Sequence, residues 1–455
     1  MGLRWAFAVL FAAIGAFGVV WMLGNRRRVF EFPFLISIAT TSFLTPQMFI
    51  VVNNEWRVPT DAFCITLFHG CNCLLLAYLG YFSYRSSPSP VVLTYDPKRL
   101  FQASMAIVAV GYLGYIAMDY YVYGRFLGAY RHQEGLYSLD LRGLPVYLMY
   151  IARLTVVGLM ICMIAILLRP RPLYAFFFLA ALLYPMLDVV VSGRRNMLVM
   201  LAAVLIFPLY YVRRLTPPRW AVVLGGAAAF CAIVLLPEYR KNSGLDVGAS
   251  AVQKVEVGRA MERYMAGRQT LEFPYGMLSV GAVFHTGGYG YGVDFYNALV
   301  KQFLPRGLVG DDYKRRWFLP GATPEESHAE VYGRAGAYYL SESGIVDSFW
   351  EFGFFGAILF FMLGRFWAWL YDNAVHSRDR RFVLASCVFA FVPPYVVYGG
   401  FLSAVNRCIP MFLCFWLIHR YARIAAPAPS PRLLRARAAP PRTRFRLSRL
   451  RPRAT

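Results

Sequence analysis

Apolar residues in this chain fall in long unbroken runs, not in the narrow stripes or strict alternation of a water-soluble domain. A run of roughly twenty apolar residues is what a helix needs to cross the hydrocarbon of a bilayer. Runs of this kind predict spans over 3–23, 29–52, 61–84, 101–123, 145–168, 173–192, 196–212, 220–237, 344–371, 381–398 and 400–419. The second is punctuated by Pro33 and Pro46, breaks that a bundle helix tolerates when its neighbours satisfy the freed backbone groups. The expected fold class is therefore an all-α polytopic membrane protein with about 11 transmembrane helices, within a range of 10–13. The first run is too long for a signal-peptide core and has no convincing cleavage site, so it reads as a span.

The polar segments between the runs divide into two sets. One carries "NRRR" at 25–28, Arg85 with Lys98 and Arg99, Arg169 and Arg171, "RRLTPPR" at 213–219 and "HSRDRR" at 376–381. Cytoplasmic loops accumulate Lys and Arg, so this set and the C-terminus are expected inside, in a cytoplasmic membrane. The remaining segments lie outside, among them 238–343, whose 12 basic residues balance 12 acidic ones. Four regions follow: an N-terminal bundle over 1–237, an outer loop over 238–343, C-terminal spans over 344–424 and an Arg/Pro-rich tail over 425–455. The tail has no acidic residue and cannot build an apolar core. Within the outer loop, 250–269 reads as a helix, and 272–304 is a glycine-interrupted, moderately apolar stretch that suits a re-entrant or interfacial element.

Composition changes this picture little. The chain is 58% hydrophobic and 16% charged over 455 residues, which excludes an ordinary soluble protein. The net charge of +23 suggests nucleic acid at first. Its distribution over one set of loops and a tail assigns it to topology and anionic lipid instead. No dinucleotide fingerprint or phosphate loop is present. The eight cysteines lie in apolar runs without zinc or redox spacing, and no metal site is expected.

Candidate chemistry gathers on the outer side. In "VVSGRRNMLVMLAAV", Arg194 and Arg195 sit at an outer boundary that the inside bias should deplete of arginine. Guanidinium donors match phosphate oxygens, and amides at the start of a helix add to them. Arg240 and Lys241 form a second basic pair in "LLPEYRKNSG". Arg407 lies about two turns inside the last run, where a lone arginine must pair, snorkel or face a polar cavity. His328, crowded by Glu326 and followed by Arg334, is a candidate proton acceptor. Asp347 and Glu351 are four apart on one helical face, and Asp188 and Asp119 lie near outer span ends. Tyr289, Tyr291, Tyr332, Tyr338 and Trp350 offer faces for stacking on sugars, although such aromatics also mark membrane interfaces.

The motifs "SGRRNMLVMLAAV", "LLPEYRKNSG" and "YLSESGIVDSFWEFGFFGAILFFMLG", with the long loop before the last of these, resemble the Wzy-type oligosaccharide repeat unit polymerases over about residues 100–420. That resemblance implies a GT-C-like glycosyltransferase bundle with one large periplasmic loop, in a bacterial inner membrane. It implies en bloc transfer of a glycan from undecaprenyl diphosphate to a second lipid-linked repeat unit, without metal or cofactor. Diphosphate contacts carry over to Arg194, Arg195 and Arg240, and less directly to Arg407, while Lys241 and Arg334 join them as basic groups read from the residues themselves. Catalytic carboxylate or base roles fall to His328, Glu326, Glu351 and Asp188, and sugar contacts to the tyrosines, Asp347 and Trp350. Partners would be the lipid-linked donor and acceptor, membrane lipids and a chain-length regulator, with no nucleic acid. O-antigen ligases have a similar architecture and the same donor, and a transporter or flippase of a lipid-linked anion is the third reading. The distance of His328 from Gly353 and Gly356 favours polymerase over ligase.

Overall fold

A computed structural model describes residues 2–55, 57–86, 93–124, 144–192, 195–218, 220–222, 224–228, 272–304, 309–321, 343–377 and 379–425, with isolated pieces at 231, 235, 256–258, 262, 327 and 330–332. The chain is a largely α-helical, polytopic membrane protein. Among the described residues, eight segments are long and apolar enough to cross a membrane: Gly2–Gly24, Phe32–Val51, Thr60–Phe82, Pro97–Tyr121, Tyr147–Leu168, Gly344–His376, Arg380–Gly399 and Phe401–Ala422. The runs predicted at 173–192 and 196–212 are helical, with shorter apolar portions, Pro172–Leu187 and Val199–Arg213. The run at 220–237 is described only in fragments.

In chain order the helices are α1 (Gly2–Gly24), α2 (Phe32–Ala39), α3 (Thr45–Val51), α4 (Thr60–Phe82), α5 (Pro97–Tyr123), α6 (Leu144–Leu168), α7 (Pro172–Ser192), α8 (Arg195–Arg213), α9 (Glu272–Thr286), α10 (Val293–Phe303) and α11 (Asp311–Arg315). They continue with α12 (Gly344–Phe352), α13 (Ala357–His376), α14 (Arg380–Val388), α15 (Val392–Gly399) and α16 (Phe401–Ala422). Local chemistry explains the boundaries. Asp96 accepts from the Lys98 amide at 2.9 Å and opens α5 with Pro97 in its first turn. Asp379 caps α14 in the same way through Arg381. The second span is broken as its prolines suggest. Pro33 and Pro46 each occupy a first turn, and a wide turn over Thr40–Leu44 joins α2 to α3. There the Thr40, Thr41 and Ser42 hydroxyls bond carbonyls of the preceding turn at 2.6–2.9 Å, which competes with regular helical pairing.

Helix packing relies on close approach. On α4, a side chain at Gly80 would press on the Phe361 carbonyl, and on α13 one at Gly364 would press on the Ala77 carbonyl. Two backbones in contact gain dispersion where apolar burial gives no advantage over lipid. Polar links cross the bundle as well: Ser37 Oγ accepts from the Gly18 amide at 2.9 Å and meets Tyr78 Oη at 2.8 Å. His69 of α4 meets Ser348 of α12 at 3.0 Å.

The molecule has two membrane faces of different character. One gathers Arg26–Arg28, Lys98, Arg99, Arg169, Arg171, Arg213, Arg214, Arg380, Arg381, Arg420 and Arg423, and is closed by an antiparallel pair of strands, β1 (Leu93–Tyr95) with β2 (Arg423–Ala425). The opposite face carries the start of α1, α4, α6 and α12, the ends of α3 and α15, and the pair His285–Asp61.

Candidate functional site

Two intramembrane arginines approach the opposite face, with different surroundings. Arg4 is fully buried and donates to the Val58 carbonyl at 2.8 Å and the Val51 carbonyl at 2.7 Å, while its guanidinium lies 4.4 Å from the Phe63 ring centre. It staples α1 to the loop between α3 and α4. Arg407 lies six residues into α16, about 9 Å along the helix. Its guanidinium sits 3.9 Å over the ring of Tyr395, and its Nη1 atom is buried with no hydrogen-bond partner among the described residues. Beside it, Asn406 is 6% exposed and its Oδ1 atom also has no partner among them.

Other helices converge on Arg407. Arg153 and Tyr150 of α6 contribute a second guanidinium and a phenol, 5.7 Å apart by ring centre. Tyr150 lies within electrostatic reach of Arg153, Arg407 and Tyr395 and against the amide of Gln302. Tyr398 of α15 lies within reach of Arg407, Arg153 and Glu272. Two cations, three phenols and the Glu272 carboxylate at the start of α9 therefore share one region in the half of the bundle nearer the opposite face.

α9 and α10 frame this region. The fifteen residues of α9 span about 22 Å, less than the hydrocarbon thickness. Its start lies at depth: the Phe273 amide donates to Gln47 Oε1 at 2.9 Å, and the Phe273 ring stacks 6.1 Å from that of Phe11. Its other end reaches the surface, where His285 pairs with Asp61. α10 is amphipathic, has no buried residue and packs on α16, and the Gln302 amide nitrogen lies near Tyr150 without a hydrogen-bond partner among the described residues.

Below the arginines the character changes. A narrow apolar crevice is lined by Val156, Val157 and Met160 of α6, Met200 and Ala203 of α8, and Met411 of α16, with Val388 and Phe391 closing it. These positions continue the arginine-bearing faces: 153 to 156, 157 and 160, and 407 to 411. Methionine side chains can re-pack around an irregular apolar guest.

The predicted residues lie as follows. Glu351 is 1% exposed and accepts from the Gly292 amide at 2.6 Å and the Phe295 amide at 3.0 Å, capping α10. Asp347 accepts from the Leu402 amide at 3.4 Å, tying α12 to α16. The Trp350 indole donates to Asp294, and the ring is 4% exposed. Tyr289 packs 6.0 Å from Phe349, and burial raises its phenol above the ordinary value. Tyr291 is 73% exposed, with a left-handed backbone (φ 50°) that a tyrosine rarely adopts. Tyr332 is half-buried beside Gly281, its phenol pushed up to about 12 by burial and then by Asp61. Asp119 accepts from the Tyr184 hydroxyl at 3.0 Å, joining α5 to α7. Asp188 falls on α7 and Arg195 opens α8, with side chains outside what is described. Arg194, Arg240, Lys241, Glu326, His328, Arg334 and Tyr338 lie outside the described residues.

Sequence reasoning singled out Arg407 but not Arg153, Tyr150, Tyr395, Tyr398 and Gln302, which the fold brings around it. Arg153 did carry a signal, a lone charge inside "YLMYIARLTVVG". The tyrosines carried none, because an apolar run fixes depth but not which face of the helix meets a neighbour. No family model, curated protein or solved structure matches this chain.

Proposed function

We propose that this protein is a membrane-embedded transferase acting on an amphiphile with a diphosphate headgroup, as the Wzy-type polymerases it resembles do. The observation that carries the reading is the buried Arg407 Nη1, without a hydrogen-bond partner among the described residues, above the methionine-lined crevice and with Arg153 nearby. A cation held within a span needs an anionic partner or a polar guest. The crevice on the same helix faces holds only about 10 Å³, so the apolar chain of that guest enters it as Met160, Met200 and Met411 re-pack. The donor is undecaprenyl-diphosphate-linked oligosaccharide, entering from the face opposite the arginine-rich one, which the bias of basic loops assigns to the cytoplasm.

In the transfer, an acceptor sugar hydroxyl attacks the anomeric carbon and the lipid diphosphate leaves. Negative charge grows on the departing diphosphate, where Arg407 and Arg153 stabilise it most in a water-poor site. The Tyr395 ring holds Arg407 in place through its face. α10 roofs the region, and exposed Tyr291 stands where a glycan would pass outward. His328 is the proposed proton acceptor, with Arg194, Arg195 and Arg240 as further diphosphate ligands.

The test is purified protein with one defined undecaprenyl-diphosphate oligosaccharide. A ladder of lengthened lipid-linked products, reduced strongly in Arg407→Gln, supports the reading. Transfer only to lipid A core would make the protein a ligase, and lipid movement without a new glycosidic bond would make it a transporter.

A further inference from the structure

The arginine-rich face holds a cavity of about 100 Å³ that the proposed transfer does not use. Tyr95 of β1, Ile164 and Leu168 of α6, Tyr211 of α8, and Arg380 and Leu384 of α14 line it. A space of this size admits several waters or one phosphoryl group.

Its polar lining is short of partners. Asp379, fully buried, is committed to Arg381, accepting from its amide at 2.9 Å and its Nε at 2.7 Å. Arg380 is half-buried and makes no hydrogen bond or ion pair among the described residues. It is the first residue of α14, where the partial positive charge of the helix start adds to its own. Tyr211 is 2% exposed and its hydroxyl has no partner among those residues. The Ser386 hydroxyl lies close by without reaching hydrogen-bond geometry. Arg381, Arg423 and Asp379 act electrostatically on Tyr95 in the same wall, and His419 meets the Tyr95 hydroxyl at 2.9 Å. Cations outnumber the one carboxylate in this set.

We propose that this cavity binds a phosphoryl group carrying an apolar substituent, the chemistry of a phospholipid headgroup at this face of the membrane. Arg380 is the anion ligand, its donor fork matching two phosphoryl oxygens. The Tyr211 hydroxyl donates a further bond, and Ile164, Leu168 and Leu384 receive the apolar part. The site lies on the face away from Arg407 and does not depend on the proposed transfer.

The test uses full-length protein, delipidated in neutral detergent, with thermal unfolding followed as phosphatidylglycerol, inorganic phosphate or diacylglycerol is titrated. Phosphatidylglycerol stabilises the wild type saturably and diacylglycerol does not. A response to inorganic phosphate alone identifies free phosphate as the source of the phosphoryl group. Arg380→Gln weakens the apparent affinity about tenfold, as loss of one charge-assisted contact should. Tyr211→Phe weakens it less, and Arg171→Gln, an exposed arginine on the same face, leaves it unchanged. Each variant is read against its own unliganded baseline, and Tyr211→Phe and Arg380→Lys serve if Arg380→Gln does not fold. Equal responses from wild type, the Arg380 variants and Tyr211→Phe, or no saturable response to either phosphoryl probe, overturn the proposal.

Discussion

Arg4 and Arg407 are both arginines held within a helical bundle near the same face, and they solve the same problem in opposite ways. Arg4 spends two donors on the Val51 and Val58 carbonyls and stacks on Phe63. It thereby stabilises the entry of the chain into the bundle. Arg407 stacks on Tyr395 and leaves Nη1 without a partner among the described residues, next to Arg153 and above an apolar crevice. Burial alone does not distinguish a structural charge from a working one. Arg4 Nε is also buried without a partner among the described residues, so the difference lies at the terminal nitrogens, which reach two carbonyls in Arg4 while Nη1 reaches none in Arg407.

The comparison is broken most severely at Arg407. Replacing it by glutamine is expected to lower turnover about 100- to 1000-fold, the scale for losing one donor to a developing anion, with the melting temperature unchanged. An activity loss matched by an equal loss of folded protein would place Arg407 in the same class as Arg4. Arg4→Gln should show the converse pattern. Two charge-assisted bonds are weakened, costing about 3 kcal/mol in chemical unfolding in detergent, while turnover per folded molecule is retained. Gly80→Leu then tests whether packing alone reproduces that phenotype. Its side chain meets the Phe361 carbonyl, with an expected cost of about 1–3 kcal/mol and no change in substrate response. The smallest effect belongs to Tyr395. Tyr395→Leu removes the cation–π contact, worth about 0.5–2 kcal/mol, and should lower turnover by roughly that energy. Tyr395→Phe should stay near wild type, because the ring face is what Arg407 touches.

The order of the long apolar helices was legible in the sequence, because runs of about twenty apolar residues match the hydrocarbon thickness of a bilayer. The broken second span was legible too, since proline favours first turns, where Pro33 and Pro46 stand, although Pro185, Pro208 and Pro410 lie inside helices. Facing was not. Glu351 and Asp347 share a helical face as their spacing requires, yet the partner on that face was hidden in a distant turn: Glu351 caps α10 through Gly292 and Phe295. Trp350 likewise donates to Asp294, 56 residues away in the chain. In the same way Tyr395 and Arg153 become site residues only through the packing of α15 and α6 around α16. A sequence shows that Arg407 needs company, and the fold shows which residues provide it.

The central claim is that the Arg407 region receives the diphosphate. A polyprenyl diphosphate with a photoreactive group beside the phosphates, activated in the presence of the purified protein and mapped by peptide mass spectrometry, tests it most directly. The account predicts adducts on α6, α15 and α16 around Tyr150, Tyr395 and Arg407, lost in Arg407→Gln and kept in Arg4→Gln. Adducts confined to the arginine-rich face, or labelling of those helices unchanged by the Arg407 substitution, would contradict it.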